Sequence, residues 1–145
     1  MSSETTVAVR LARSVHEQIR LEAARSYPNE GCGALLGPAH GVVSESLALP
    51  NEETTSPRTR FAVSPSDYLA VEESADARGL LLLGFWHSHP DHPARPSSTD
   101  RAFAWPGLVT LVIRVEKGEP HEITAWDTPG PDLPFRQVDL AIGPE

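Results

Sequence analysis

The segment GFWHSHPDHPARPSSTD, Gly84 to Asp100, carries the residues whose types and spacing could do chemistry. His87 and His89 stand two apart. At the end of an extended strand, alternate side chains point to one side, so two imidazoles can converge on a single metal. Asp100 lies eleven residues past His89, and a helix beginning near Ser98 would swing its carboxylate back toward the same point. Two histidines and one carboxylate leave a fourth tetrahedral position open, which is the layout of a catalytic zinc site rather than a structural one. Zinc in such a site makes hydroxide available at neutral pH. A bare His-x-His pair often sits in a loop by chance. The apolar run before this one, the proline after it and PSSTD at a suitable distance argue against chance.

With these residues in view, the chain resembles the JAMM metallopeptidases, also called MPN-plus domains. Their pattern is a glutamate, a long gap, H-[ST]-H-P, about six residues, then S-x-x-D. Here it reads Glu30, then His87-Ser88-His89-Pro90, then Ser97-Ser98-Thr99-Asp100. The segment YPNEGCGALLG, Tyr27 to Gly37, also looks like the bacterial single-domain branch. The resemblance implies that His87, His89 and Asp100 ligate one Zn2+ per chain. It implies Glu30 as the general base that takes a proton from the attacking water and later passes it to the leaving amine. It implies Ser97 as a hydrogen-bond donor to the oxyanion. It also implies a cytidine-deaminase-like MPN fold.

Other residues that could bind metal read differently. His92 as a fourth ligand would close the open position, so it reads as an exposed loop residue. His16, His40 and His121 have no partners at metal spacing. A Cys32 thiolate ligand is conceivable, but a buried, small, apolar side chain is the commoner outcome. Ser88, between the ligands, should point the other way and bond to backbone. Ser98 reads as the cap of the following helix. Trp86, Trp105 and Trp126 read as core or rim.

The elements that must position the site follow from periodicity. Thr6 to Ala12 alternates as a half-buried strand. Ser14-x-x-Glu17 reads as a capping box, with Val15, Ile19 and Ala23 on one helical face. Cys32 to Leu36 reads as a strand and Val42 to Leu49 as its hairpin partner. Asn51 to Arg60 is a polar loop without periodicity, and Phe61 to Val63 a short strand. Ser64-Pro65 opens a second helix, which Gly79 ends. Leu80 to Trp86, apolar throughout, is a central strand covered on both faces. Ser98 to Ala104 is a short helix. Leu108 to Val115 pairs with Glu122 to Trp126 across Lys117-Gly118, and Phe135 to Ile142 is a last edge strand. The fold class is α+β, with a mixed, mostly antiparallel sheet flanked by helices. Residues 1–145 are read as one domain.

The bulk numbers narrow the partners. The chain has 145 residues and a net charge of -8. That balance argues against nucleic acid and against an anionic membrane, because phosphate binding needs a basic face. One cysteine permits no intrachain disulfide, which fits a reducing cytoplasm. The longest apolar stretch, Leu80 to Trp86, is too short for a membrane span.

The function expected from the resemblance is hydrolysis of a peptide or isopeptide bond after the C-terminal Gly-Gly tail of a ubiquitin-like or β-grasp sulfur-carrier protein. With 56 residues between Glu30 and His87, no large substrate-gripping insertion is expected, and Asn51 to Arg60 is the substrate-facing loop. Two alternatives stand beside it. One is a non-catalytic interaction module of the same fold, which would have lost its metal ligands. The other is a zinc amidase acting on a small molecule. Oligomeric state does not follow from the sequence.

Overall fold

The computed structural model describes residues 8–102, 105–128 and 133–144. Six strands form the main sheet, in the order β4 (Glu45–Leu49), β2 (Cys32–Gly37), β5 (Leu81–Pro90), β6 (Val109–Glu116), β7 (Glu119–Asp127), β8 (Arg136–Val138). Only β5 and β6 run parallel; the other neighbours in this sheet are antiparallel. A smaller parallel sheet holds β3 (Val42–Val43), β1 (Val9–Leu11) and β9 (Leu140–Ile142). With the helices α1 (Arg13–Ser26), α2 (Pro65–Ala77) and α3 (Ser98–Ala102), this is the α+β class expected, with a mixed, mostly antiparallel sheet.

The strand alternation of period two sorts side chains onto two cores. On one face, Val15, Ile19 and Ala23 of α1 pack against Leu35, Trp86, Leu111 and Ile113. On the other, Val71 and Ala75 of α2 pack against Ala34, Leu36 and Phe85. Each large apolar side chain so buried contributes about 1.5–3 kcal/mol. The site uses the α2 face, because His87 and His89 follow Phe85 at the same parity.

Several boundaries differ from the sequence reading. Helix α1 starts at Arg13 with Ala12 as its cap residue, and no side chain caps it. The Ala12 amide still donates to Val43 O, and its carbonyl already accepts from Val15 and His16. The chain therefore turns from strand to helix in one residue, and Ser14 falls inside the first turn rather than at the cap. Val42 to Leu49 is not one strand. Its first two residues join β1, and only β4 pairs with β2. Phe61 to Val63 forms no strand. Phe135 to Ile142 splits into β8, at the edge of the main sheet, and β9, which pairs with β1. Thr6 and Val7 of the first strand, and Phe103 and Ala104 of the third helix, lie outside the described residues. The second helix is as read: the Ser64 side chain accepts from Asp67 N, and Pro65 is the first helical residue. Gly79 follows it at φ +69°. Among the described residues no helix is long and apolar enough to cross a membrane.

Candidate metal centre

Strand β5 is longer than its apolar run and carries the motif within the sheet. His87 pairs with Cys32 on one side and Val112 on the other, and His89 pairs with Arg114. Both imidazoles are therefore fixed by a ladder on a central strand rather than by a loop. They are 1 % and 5 % exposed. Their Nε2 atoms lie 3.2 Å apart. Asp100 Oδ2 lies 3.1 Å from His87 Nε2 and 3.0 Å from His89 Nε2. The three residues expected as ligands thus meet at one point.

Asp100 arrives there through reciprocal bonding with Ser97. The Asp100 amide donates to Ser97 Oγ at 3.0 Å, and the Ser97 amide donates to Asp100 Oδ2 at 2.8 Å. This is a capping box with aspartate in the third helical position. It gives S-x-x-D a physical meaning, since a spacing of three lets each residue satisfy the other's backbone. The capping residue is Ser97, not Ser98, which is exposed.

The donor set fits a divalent metal. His89 Nδ1 lies 2.8 Å from the Pro93 carbonyl oxygen. A carbonyl cannot donate, so Nδ1 carries the hydrogen and Nε2 faces the other two acceptors. Three such atoms 3.0–3.2 Å apart cannot all be bare; a proton or a metal must supply positive charge among them. Ligands about 2.0–2.1 Å from a tetrahedral zinc would be separated by roughly 3.3 Å, close to the spacing observed. Burial holds the His87 pKa below its usual value, against the Asp100 carboxylate that pulls it up. Burial alone would push the Asp100 carboxyl up. Its contacts with His87 and His89, together with the Ser97 amide, hold it well below the usual carboxylate range. His87 Nδ1 has no hydrogen-bond partner among the described residues. Its ring is instead held by Phe61, stacked at 4.6 Å and 19°.

Glu30 sits just before β2, 3 % exposed, with Oε1 unpartnered among the described residues. Burial, and then the nearby Asp100 charge, push its carboxyl up to about 9. Its backbone is anchored on both sides. Its amide donates to Pro57 O, and Asn51 Nδ2 donates to its carbonyl at 3.0 Å. The next residue, Gly31, exchanges two bonds with Ser88: Gly31 N to Ser88 Oγ at 2.7 Å, and Ser88 N to Gly31 O. Ser88 therefore points away from the two imidazoles and ties the glutamate's loop to β5.

Two cavities meet at the centre and share Arg60 and Thr99. One reaches His87 and Asp100, and the other reaches His89, Glu30 and Ser97. His92 is exposed and lines the second, and it does not join the converging group. Cys32 lies apart from that group. Burial, then Glu30, push its thiol up to about 12, so it is not a thiolate. Trp86 is buried in the α1 core.

Sequence reasoning passes over two residues. Asn51 bonds to Glu30 O, Arg60 O and the amides of Glu53 and Ala62. It folds the polar loop against the site, and an asparagine opening a polar run is a turn signal. Phe61 reads in sequence only as part of a strand. No local pattern marks a ring that stacks on a histidine 26 positions later.

Comparison with known proteins adds to this geometry. Residues 12–129 match the family model described as prokaryotic homologs of the JAB domain. A desampylase of Haloferax volcanii is 29 % identical over 142 residues, spanning 97 % of this chain and 98 % of that protein. A probable TtuB-protein conjugate cleaving protease of Thermus thermophilus is 35 % identical over 88 residues, 61 % of this chain and 57 % of that protein. The solution structure of a protein from Desulfitobacterium hafniense superposes with a TM-score of 0.82, at 28 % identity and 94 % coverage of each chain.

Proposed function

The chain belongs to the prokaryotic homologs of the JAB domain, and from that premise we propose that it is a zinc-dependent hydrolase. Its substrate is a peptide or isopeptide bond after the C-terminal Gly-Gly tail of a ubiquitin-like or β-grasp sulfur-carrier protein. The observation that carries the reading is the convergence of His87, His89 and Asp100 within 3.2 Å, with the buried Glu30 lining the same cavity as His89. The names of the desampylase and of the conjugate-cleaving protease support the substrate class.

His87, His89 and Asp100 would hold the zinc, which when bound acidifies a water and polarises the scissile carbonyl. Glu30 takes a proton from the attacking water and returns it to the leaving amine. Burial favours the protonated Glu30 carboxyl in the metal-free fold; a bound dication would favour the ionised carboxylate, the form that can accept the proton. Ser97 Oγ accepts from the Asp100 amide, which leaves its own hydrogen to donate toward the oxyanion. The reading takes residues 1–145 as one domain acting in the cytoplasm.

The test is incubation with a β-grasp carrier bearing a C-terminal extension, read by mass spectrometry with and without a chelator. Glu30→Gln should retain zinc and lose about 10²–10⁴-fold in rate. His89→Ala should lose both zinc and activity. Cleavage by the Glu30→Gln variant at the wild-type rate would overturn the mechanism.

A further inference from the structure

The cavity on the His87 and Asp100 side is walled by aromatic and apolar groups, and the reaction as proposed leaves it without an occupant. Phe61, Val63, Phe85, Trp105 and Phe135 line it. Phe85 and Trp105 have ring centroids 4.4 Å apart, and Tyr68 packs against both. The Phe85 and Trp105 part of this wall therefore belongs to the α2-side core. Phe61 is stacked on His87, so anything touching that ring is one ring's thickness from a ligand. The volume is about 320 Å3, at the small end for ligand sites. It admits one side chain with its adjoining backbone. The second cavity differs in chemistry: Glu30, Arg60, His92, Arg95 and Ser97 line it. It offers donors to an extended backbone, beside the rings of Pro93 and Pro96, and no aromatic wall.

We propose that the apolar cavity receives the side chain of the residue on the amine side of the scissile bond, and that the enzyme selects a bulky apolar residue there. Phenylalanine, leucine and methionine are the preferred occupants. This rests on the proposed cleavage after Gly-Gly. Two glycines carry no side chain to fill a cavity beside the ligands, so the first side chain next to the reacting carbon belongs to the released residue. Glu53 and Arg60 also line the cavity. Their charges are opposite, so neither sign of charge in the substrate gains a net advantage, while either would be taken out of water. The chemistry is unchanged: the glycine C–N bond breaks, the water oxygen remains on the glycine carboxylate, and a proton goes to the released amine.

The experiment uses zinc-loaded protein and a β-grasp carrier ending in Gly-Gly, extended by one varied residue and a fixed tail. The varied residue is Phe, Leu, Met, Ala, Gly or Asp, and one further substrate carries an isopeptide-linked lysine. Burial of a large apolar side chain predicts kcat/KM about 10- to 100-fold higher for Phe or Leu than for Gly or Asp. Val63→Trp, which narrows the cavity from its apolar wall, should bring Phe down to the Gly value while zinc content stays at one per chain. Equal rates for all residues, or faster cleavage of the lysine isopeptide than of the Phe substrate, would overturn the inference and leave the hydrolase reading intact. Failure to cut any extension would overturn the hydrolase reading itself, and this inference with it.

Discussion

Glu30→Gln has a consequence for stability that needs no substrate and no metal. The Glu30 carboxyl is pushed from 4.5 to about 9 in the fold. Between those values the folded state binds a proton that the unfolded state has released. Stability therefore falls as pH rises through that window, by about 1.4 kcal/mol per pH unit, and levels off above the folded value. Below 4.5 both states are protonated and the site costs nothing extra. Glutamine keeps the shape and cannot titrate, so its variant lacks this slope. The substituted side chain would bury an amide where Oε1 has no partner among the described residues, which costs about 1–3 kcal/mol. That cost does not depend on pH and cancels when differences are compared. The stability of Glu30→Gln relative to wild type should thus increase by roughly 3 kcal/mol between about pH 6 and pH 8. Other titrating groups, such as His87 and Cys32, are common to both proteins and largely cancel as well.

The assay is urea unfolding of chelator-stripped wild type and variant at about pH 6, 7 and 8, with common slopes checked so that midpoints convert to free energies. Two curves that stay parallel across this range would refute the reasoning, because they would mean that Glu30 is ionised at the acid end despite its burial. A difference that shrinks with pH would contradict the sign.

Three further substitutions test the supports of the site. Ser97→Ala removes the cap acceptor of Asp100 N and should cost about 1 kcal/mol of stability, with zinc affinity reduced roughly 10- to 100-fold in competition with a chelating dye; unchanged affinity would separate the cap from the ligand. Ser88→Ala strands the buried Gly31 amide and should cost about 1–3 kcal/mol by denaturant unfolding; a loss below a few tenths would show that the loop relaxes around it. Gly84→Ala drives a Cβ into the Val109 carbonyl oxygen, well inside van der Waals contact, across the parallel β5–β6 pair. That backbone cannot yield without breaking the ladder, so a loss of about 3 kcal/mol or more, or no soluble protein, is expected.

The fold was legible where one residue pattern had one solution. Val15, Ile19 and Ala23 could lie on one face only as a helix, and the apolar run ending at Trp86 needed cover on both sides. Boundaries failed where tertiary pairing decided. Ser14 has the composition of a cap, but the bond from Ala12 N to Val43 O holds the preceding residue in the strand register, and the helix starts first. Val42 and Val43 have the pattern of a hairpin arm, yet β1 offers them a parallel partner. Neither partner is visible from local sequence.

The site was legible for a different reason: its spacings are physical requirements, not labels. A step of two positions from one imidazole to the next is the strand period, and a step of three from Ser97 to Asp100 is the span of a capping box. In that box Asp100 Oδ2 does two things at once, accepting from the Ser97 amide at 2.8 Å and standing 3.0 and 3.1 Å from the two histidines. The cap orients the carboxylate before any metal arrives, so little side-chain ordering remains when one binds. Glu30 is set by the same economy of parts. Ser88, the residue that must face away from the ligands, is the one that bonds Gly31. The strand that aims two imidazoles to one side therefore aims, on its other side, the hydroxyl that ties down the residue next to Glu30. Phe61 has no such linkage in sequence, because it comes to His87 through a loop whose course Asn51 sets. That separation predicts where relatives can differ without losing hydrolysis: Phe61 and its neighbours in the apolar wall can change the side chain accepted, while Ser88, Ser97 and Asp100 cannot change without moving the centre.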